Sequence, residues 1–402
     1  MLNGRINWFP GPVDCVFQLG FCSSLREYLG YDSPGSLDLP VNLSIHRHLR
    51  WLLSLLPPLL LASATLGQGP KYSVFELDSL RGGDSFAIAM NLNGEIVGRS
   101  GRLHGTETQA FIWTPAKRIE VLSIGAASSN SRATGINRAG VVVGYRESID
   151  SMRAFLWSRR DGFIELGTLP GDTSSKALGI NDAGQVIGSS SGPSGSHAFL
   201  WSPGTGFRDL GTLPGGQLSE ARGINSLGHV VGSSDSRNGS RAFLWTSETG
   251  LEDLGTLPND TSSVAYSIND AGQVVGSSSG PSGVRAFLWS RSTGMRDLGA
   301  LAGANYTEAY AINNDGYVVG ISGSSAGTCA FIWTPAAGIR DLNPLLPQQF
   351  ELVLAGALDI NDHGLILAFG SQKRQLISDR NLEHGFHASP NRMFLLSPTA
   401  KP

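Results

Sequence analysis

The chain has 402 residues and a formal net charge of −3, long enough for a sizeable core in one or two domains. So small a charge excludes a strong electrostatic pull on nucleic acid. Three cysteines make no disulfide scaffold: Cys15 and Cys22 precede the processing site described next, leaving Cys329 as a half-buried or buried thiol rather than a nucleophile or ligand.

Taken in chain order, the first segment is unlike the rest. "SIHRHLRWLLSLLPPLLLASATLGQG" carries a basic stretch (His46, Arg47, His48, Arg50), an apolar run from Trp51 to Leu61, then Ala62-Ser63-Ala64. That is the pattern of a secretory signal with its cleavage site. Residues 41–64 therefore read as a signal peptide and 65–71 as a linker. About 40 residues precede the signal, so 1–40 reads as a spurious upstream extension, with Val41 an alternative start. A retained anchor is the rival. Against it, the run is short for a membrane span, and Pro57-Pro58 disfavours a straight helix.

From residue 72 the chain repeats itself. Trp113, Trp157, Trp201, Trp245, Trp289 and Trp333 are each 44 positions apart. A seventh copy, "MFLLSP", puts Leu396 in the Trp position after an interval of 63, so it carries 19 extra residues. Asn91, Asn137, Asn181, Asn225, Asn269, Asn313 and Asn361 each open an N-x-x-G turn. An acidic residue recurs as often: Glu76, Glu120, Glu165, Asp209, Asp253, Asp297 and Asp341.

Each unit predicts four strands: a ("ALGIN"), b ("QVIGSS"), c ("HAFLW") and d ("FRDLGTL"). I-N-D-A-G-Q-V is a type I turn closed by a left-handed glycine, so a and b form a tight antiparallel hairpin. "WSPGTGF" makes a second, between c and d. Four-stranded antiparallel units of this length are propeller blades. The repeat opens on an isolated d strand, "VFELDSL", runs a-b-c-d six times, and ends a-b-c. The N-terminal strand would complete the last unit and close the ring. The expected fold is thus all-β: a seven-bladed β-propeller of 44-residue blades over residues 72–398.

Most repeated positions have structural readings. Ala87, Ala133, Ala177, Ala221, Ala265, Ala309 and Ala357 suit crowded inner strands. The Phe and Trp of "AFLW" suit packing between blades. One carboxylate per outer strand cannot converge on one substrate, so each is expected to bond backbone or a basic group within its own blade.

"HAFLW" at His197–Trp201, with "GINDAGQVIGSS" before it and "DLGTLPGG" after it, resembles the bacterial HAF family of extracellular repeats. The resemblance spans about 325 residues in all seven copies, although one copy alone keeps the His; others place Arg153, Arg241, Arg285, Gln109 or Cys329 there. It implies export and a repeat scaffold, and no reaction.

Chemistry-bearing motifs are few. Gly188–Gly192 and Gly276–Gly280 match G-x-S-x-G, but neither leads from strand to helix as a nucleophile elbow must. HExxH, P-loop and EF-hand patterns are absent, and no cofactor or metal is implied. Asn238, Asn259 and Asn305 open glycosylation sequons. Units 3 to 5 are near copies even in their loops, which argues for multivalent binding over a catalytic pocket. The expected function is an exported, secreted or cell-envelope, non-enzymatic scaffold, monomeric, binding a protein or polysaccharide. It would touch no nucleic acid, and a membrane only through an uncleaved signal. The alternative is an extracellular glycan hydrolase or lyase. The b–c and d–a loops should share one face, and the extra residues of unit 7 fall there. Lys373, Arg374, Asp379, Arg380, Glu383, His384 and His387 are accordingly the candidate binding residues, the bland reading being a solvated loop with incidental histidines.

Overall fold

A computed structural model of the chain divides into two units, Met1–Thr65 and Leu66–Pro402. The structure describes residues 72–78, 85–101, 108–124, 130–148, 150–325, 327–372 and 392–399. The expected extension, signal peptide and linker lie outside the described residues, as do all seven candidate binding residues from Lys373 to His387.

A single strand comes first, β1 (Tyr72–Glu76). Six meanders follow: β2–β5 (Ser85–Met90, Ile96–Gly101, Thr108–Thr114, Arg118–Val121), β6–β9 (Asn130–Ile136, Val142–Glu147, Met152–Ser158, Gly162–Gly167), β10–β13 (Ser174–Ile180, Val186–Gly192, Gly195–Ser202, Gly206–Gly211), β14–β17 (Ser219–Ile224, Val230–Ser234, Arg241–Thr246, Gly250–Asp253), β18–β21 (Ser262–Ile268, Val274–Gly280, Gly283–Ser290, Gly294–Asp297) and β22–β25 (Tyr306–Ile312, Val318–Ser324, Gly327–Thr334, Gly338–Asp341). β26 (Leu352–Ile360), β27 (Ile366–Gln372) and β28 (Arg392–Pro398) end the described chain. Among the described residues no helix is long and apolar enough to cross a membrane.

The architecture is a β-propeller. The first strands of successive meanders touch one another in a closed cycle, β26 returning to β2. β1 completes the last meander: it pairs antiparallel with β28, Tyr72 opposite Pro398 and Glu76 opposite Phe394. Tyr72 is buried there with Leu342, Phe394 and Leu396, and burial, reinforced by Tyr317, pushes its hydroxyl pKa up to about 12.

One expectation needs correction. Seven separate sheets are not found; there are five sheets of four strands and one of eight. The larger sheet holds β18–β21 and β22–β25, joined by one parallel pair, Val284 with Tyr306. Gly283, with φ of 103°, lies where a Cβ would crowd the Asn305 carbonyl, and a Cβ at Gly195, with φ of 122°, would crowd the Gln217 carbonyl as closely. The same seam two unit boundaries earlier leaves only an isolated bridge, Ser196 with Leu218.

Side chains from the repeated motif fill the spaces between meanders. Phe111, Phe155, Phe199, Phe243, Phe287, Phe331 and Phe394 are buried, as are Trp113, Trp157, Trp245 and Trp289; Trp201 and Trp333 are only half-buried. All seven inner-strand alanines are buried, and each is followed by a β-bulge. Serines latch neighbouring meanders: the Ala154, Ala198 and Ala242 N–H groups donate to Ser175, Ser219 and Ser263 hydroxyls at 2.8–3.0 Å.

The N-x-x-G turns behave as their sequence requires. Gly184, Gly228 and Gly272 have φ of 76°, 78° and 73°, a region in which a side chain is strained. The asparagines do more than turn. In each, the side-chain oxygen accepts the N–H four residues on, as at Gln185 and Gln273. The side-chain amide donates to the carbonyl of the next asparagine: 91 to 137, 137 to 181, 181 to 225, 225 to 269, 269 to 313, 313 to 361, and 361 back to 91, all at 3.0–3.2 Å. Buried amides need partners, and here each turn supplies the next.

Candidate functional site

The cycle of first strands encloses an axial channel. At the turn end lies a cavity of about 270 Å³, lined by the asparagines and their immediate neighbours from every unit. Its mouth carries Arg138, Asp182, Asp270, Asn314 and Asp362. These acids serve the frame. Asp182, Asp270 and Asp362 accept the Arg138, Ser226 and Asn314 N–H groups at 2.8–3.0 Å. Burial opposes ionisation of Asp270, but hydrogen bonds from Ser226 and Asn314 outweigh it and hold the carboxyl below its usual range.

Further along the channel the chemistry changes. A first strand alternates: one set of side chains is buried between meanders, the other is half-buried, or exposed at Arg222, and faces the axis. The buried set is nearly uniform, Ser or Thr and then Ala. The facing set flanks that Ala and differs from unit to unit: Phe86 and Ile88, Arg132 and Thr134, Lys176 and Leu178, Glu220 and Arg222, Val264 and Tyr266, Glu308 and Tyr310.

This wall divides into sectors. In units 2 and 3, the Arg132 guanidinium lies 5.5 Å and the Lys176 ammonium 5.7 Å from the Tyr145 ring centre. In unit 4, Arg222 pairs with Glu220 at 2.6 Å and lies over Tyr266. In units 5 and 6, Tyr266 and Tyr310 hydroxyls donate to the two oxygens of Glu308, at 3.4 and 2.7 Å. Burial, then the Glu308 charge, raises the pKa of both tyrosines and of Tyr306, so they stay neutral donors. Polar groups, aromatic faces and separated charges on rigid strands can grip a polar ligand.

The remaining candidates resolve into structure. Ser190 and Ser278, the central serines of the two G-x-S-x-G matches, are fully buried; each accepts a backbone N–H, from Leu169 and Leu257, at 3.0 Å. Of the outer-strand acids, Glu76 pairs with Arg392, Glu165 with Arg146 and Asp297 with Arg285, within their own meanders. Asp209 binds His197 at 2.9 Å, and Asp253 and Asp341 accept backbone N–H groups. Glu120 departs from the expectation by also reaching Arg159 of the next unit. Cys329 is half-buried, its thiol pKa raised by burial and by Asp341. Among the described residues no cluster of three metal-ligating side chains occurs.

Sequence reasoning missed the wall. The near-identity of units 3 to 5 suggested that unlike residues could not converge, but Lys176, Glu220 and Val264 occupy one repeat position in those same units. The signal was available, as variation at two positions inside an otherwise fixed motif.

No known protein family matches the chain, and no curated relative does. Solved structures do match its fold. A virginiamycin B lyase from Staphylococcus aureus is 10% identical with a TM-score of 0.52, covering 81% of this chain and 99% of that one. The β-propeller domain of the Trilobed protease from Pyrococcus furiosus is 9% identical with a TM-score of 0.50, covering 78% and 93%. A prolyl endopeptidase is 8% identical with a TM-score of 0.52, covering 75% of this chain and 46% of that one. At such identities the likeness is one of fold.

Proposed function

We propose that the chain is an exported, non-enzymatic binding protein whose seven-bladed ring holds a protein or polysaccharide ligand at its axial channel. This reading takes the eight-stranded sheet as two blades, because one parallel pair joins two complete meanders. The resemblance to HAF repeats and the signal-like segment at 41–64 support export.

One observation carries the binding role. The frame is copied from unit to unit, whereas the half-buried positions facing the axis differ. Copied residues maintain the ring; a selective ligand site needs unlike groups at fixed places.

The test is a glycan array and a panel of purified proteins probed with the wild-type chain and with a Lys176→Ala, Tyr266→Ala, Glu308→Ala variant. A ligand bound by the first and lost by the second, at equal melting temperature, is expected. Undiminished binding by a folded variant would move the site elsewhere, and turnover of any glycan would replace binding with catalysis.

A further inference from the structure

We propose that Arg132, Lys176 and Tyr145 form a seat for the carboxylate of a uronate-bearing saccharide, whose neutral hydroxyls reach Glu308 and its tyrosines. The proposal rests on the channel-binding reading and names its ligand class.

The first argument is missing charge compensation. Arg222, the cation at the matching positions of the next first strand, has a counter-ion in Glu220, as Arg146 has in Glu165. Among the described residues, neither Arg132 nor Lys176 has a carboxylate within ion-pair distance; both share the face of Tyr145. The Arg132 Nε is shielded from water and has no hydrogen-bond partner. A shielded guanidinium N–H without an acceptor is costly, so this end of Arg132 adds to the uncompensated charge of the sector. Arg132 and Lys176 belong to neighbouring first strands, β6 and β10, so one anion can bridge both.

The second argument is the opposite sector. In the cycle of first strands, β18 and β22 lie across from β6 and β10. There Glu308 accepts from Tyr266 and Tyr310, and no cation pairs with it among the described residues. A carboxylate flanked by neutral phenols binds O–H groups, and the tyrosine rings offer faces to sugar C–H groups. A sugar ring bearing one carboxylate among several hydroxyls matches both sectors. An acidic peptide does not, since it would carry further anions against Glu308 and Glu220.

Isothermal titration of the full chain should use a trisaccharide bearing a single glucuronate, neutral maltotriose, an Asp-rich peptide and inorganic phosphate. The single-uronate trisaccharide is expected to bind, more weakly as salt rises. Arg132→Ala and Lys176→Ala should each weaken it roughly tenfold or more without lowering the melting temperature. Glu308→Gln should weaken it less, and Lys117→Ala, at an exposed pair with Glu120, should change nothing. Binding of the single-uronate trisaccharide indifferent to both cation variants would overturn the seat. Tighter binding of maltotriose, the peptide or phosphate would overturn the uronate while leaving a binding channel. Binding of none of the four would also overturn it, and the array would then judge the broader reading independently.

Discussion

The asparagine cycle and the channel wall stand on the same seven strands, a few residues apart, and obey opposite rules. In the cycle every unit contributes the same side chain making the same two bonds. In the wall, neighbouring units contribute Arg132, Lys176, Glu220, Val264 and Glu308 at one position. The cycle is buried, where an unpaired amide is expensive and a replacement must satisfy both neighbours at once. The wall is half-buried and faces open space, where exchange costs little stability. The frame thus tolerates no novelty, and the wall accepts it freely.

Substitutions can break that contrast. Deleting residues 72–78 should have the largest effect. It uncovers Phe394 and Leu396 and opens the last meander, a loss of about 3–5 kcal/mol or more by analogy with large core truncations. Denaturant unfolding should lose its single sharp transition; an unchanged midpoint would refute closure by β1. Gly232→Ala comes next. A Cβ there would fall inside the Glu220 carbonyl oxygen, which is backbone and cannot step aside. A cost of about 2–3 kcal/mol is expected, and a neutral result would mean the inner hairpin can spread.

Asp359 tests the frame by pH. It sits on β26 and accepts the Met90 and Ile360 N–H groups at 2.8 and 2.9 Å. Burial nevertheless pushes its pKa up to about 6, above the unfolded value of about 3.9. The native state therefore favours the protonated acid. Its contribution is fully present below about pH 4 and is lost as pH rises through 6. Asp359→Asn should match wild type near pH 4 and exceed it by about 2–3 kcal/mol at pH 7.5. Equal stability differences at both pH values, from urea titrations, would exclude the shift.

Asn225→Ala removes the amide that donates to the Asn269 carbonyl and leaves a gap in the cycle; about 1–2 kcal/mol should be lost. On the wall, Leu178→Ala should change stability by less than about 1 kcal/mol, being half-buried and facing the axis. A wall substitution as damaging as Asn225→Ala would erase the distinction between the two regions.

Much of the frame could be read from the chain because its signals recur. The 44-residue Trp spacing sets the unit, N-x-x-G sets the hairpin, and the positive φ of Gly228 follows from that motif. The orphan strand before Ser85 announced closure. The link through Val284 and Tyr306 was not readable, because an equally close approach at Gly195 leaves only an isolated bridge, so no repeated signal in the chain marks it. The wall was hidden for a different reason. Lys176-Ala177-Leu178 looks like noise until the first strands are known to ring an axis, and only then do the variable positions share one space. The expected binding residues of the unit 7 loop, Lys373 to His387, lie outside the described residues.

The register of the closing ladder also sets how the protein meets force. Tyr72 lies opposite Pro398, so the start of β1 and the end of β28 lie at the same end of the pair. Tension applied between the start of β1 and the end of β28 would load those hydrogen bonds one after another, as in peeling tape, rather than all together in shear. The ring would open mechanically at its seam under a low pull, whatever its resistance to heat.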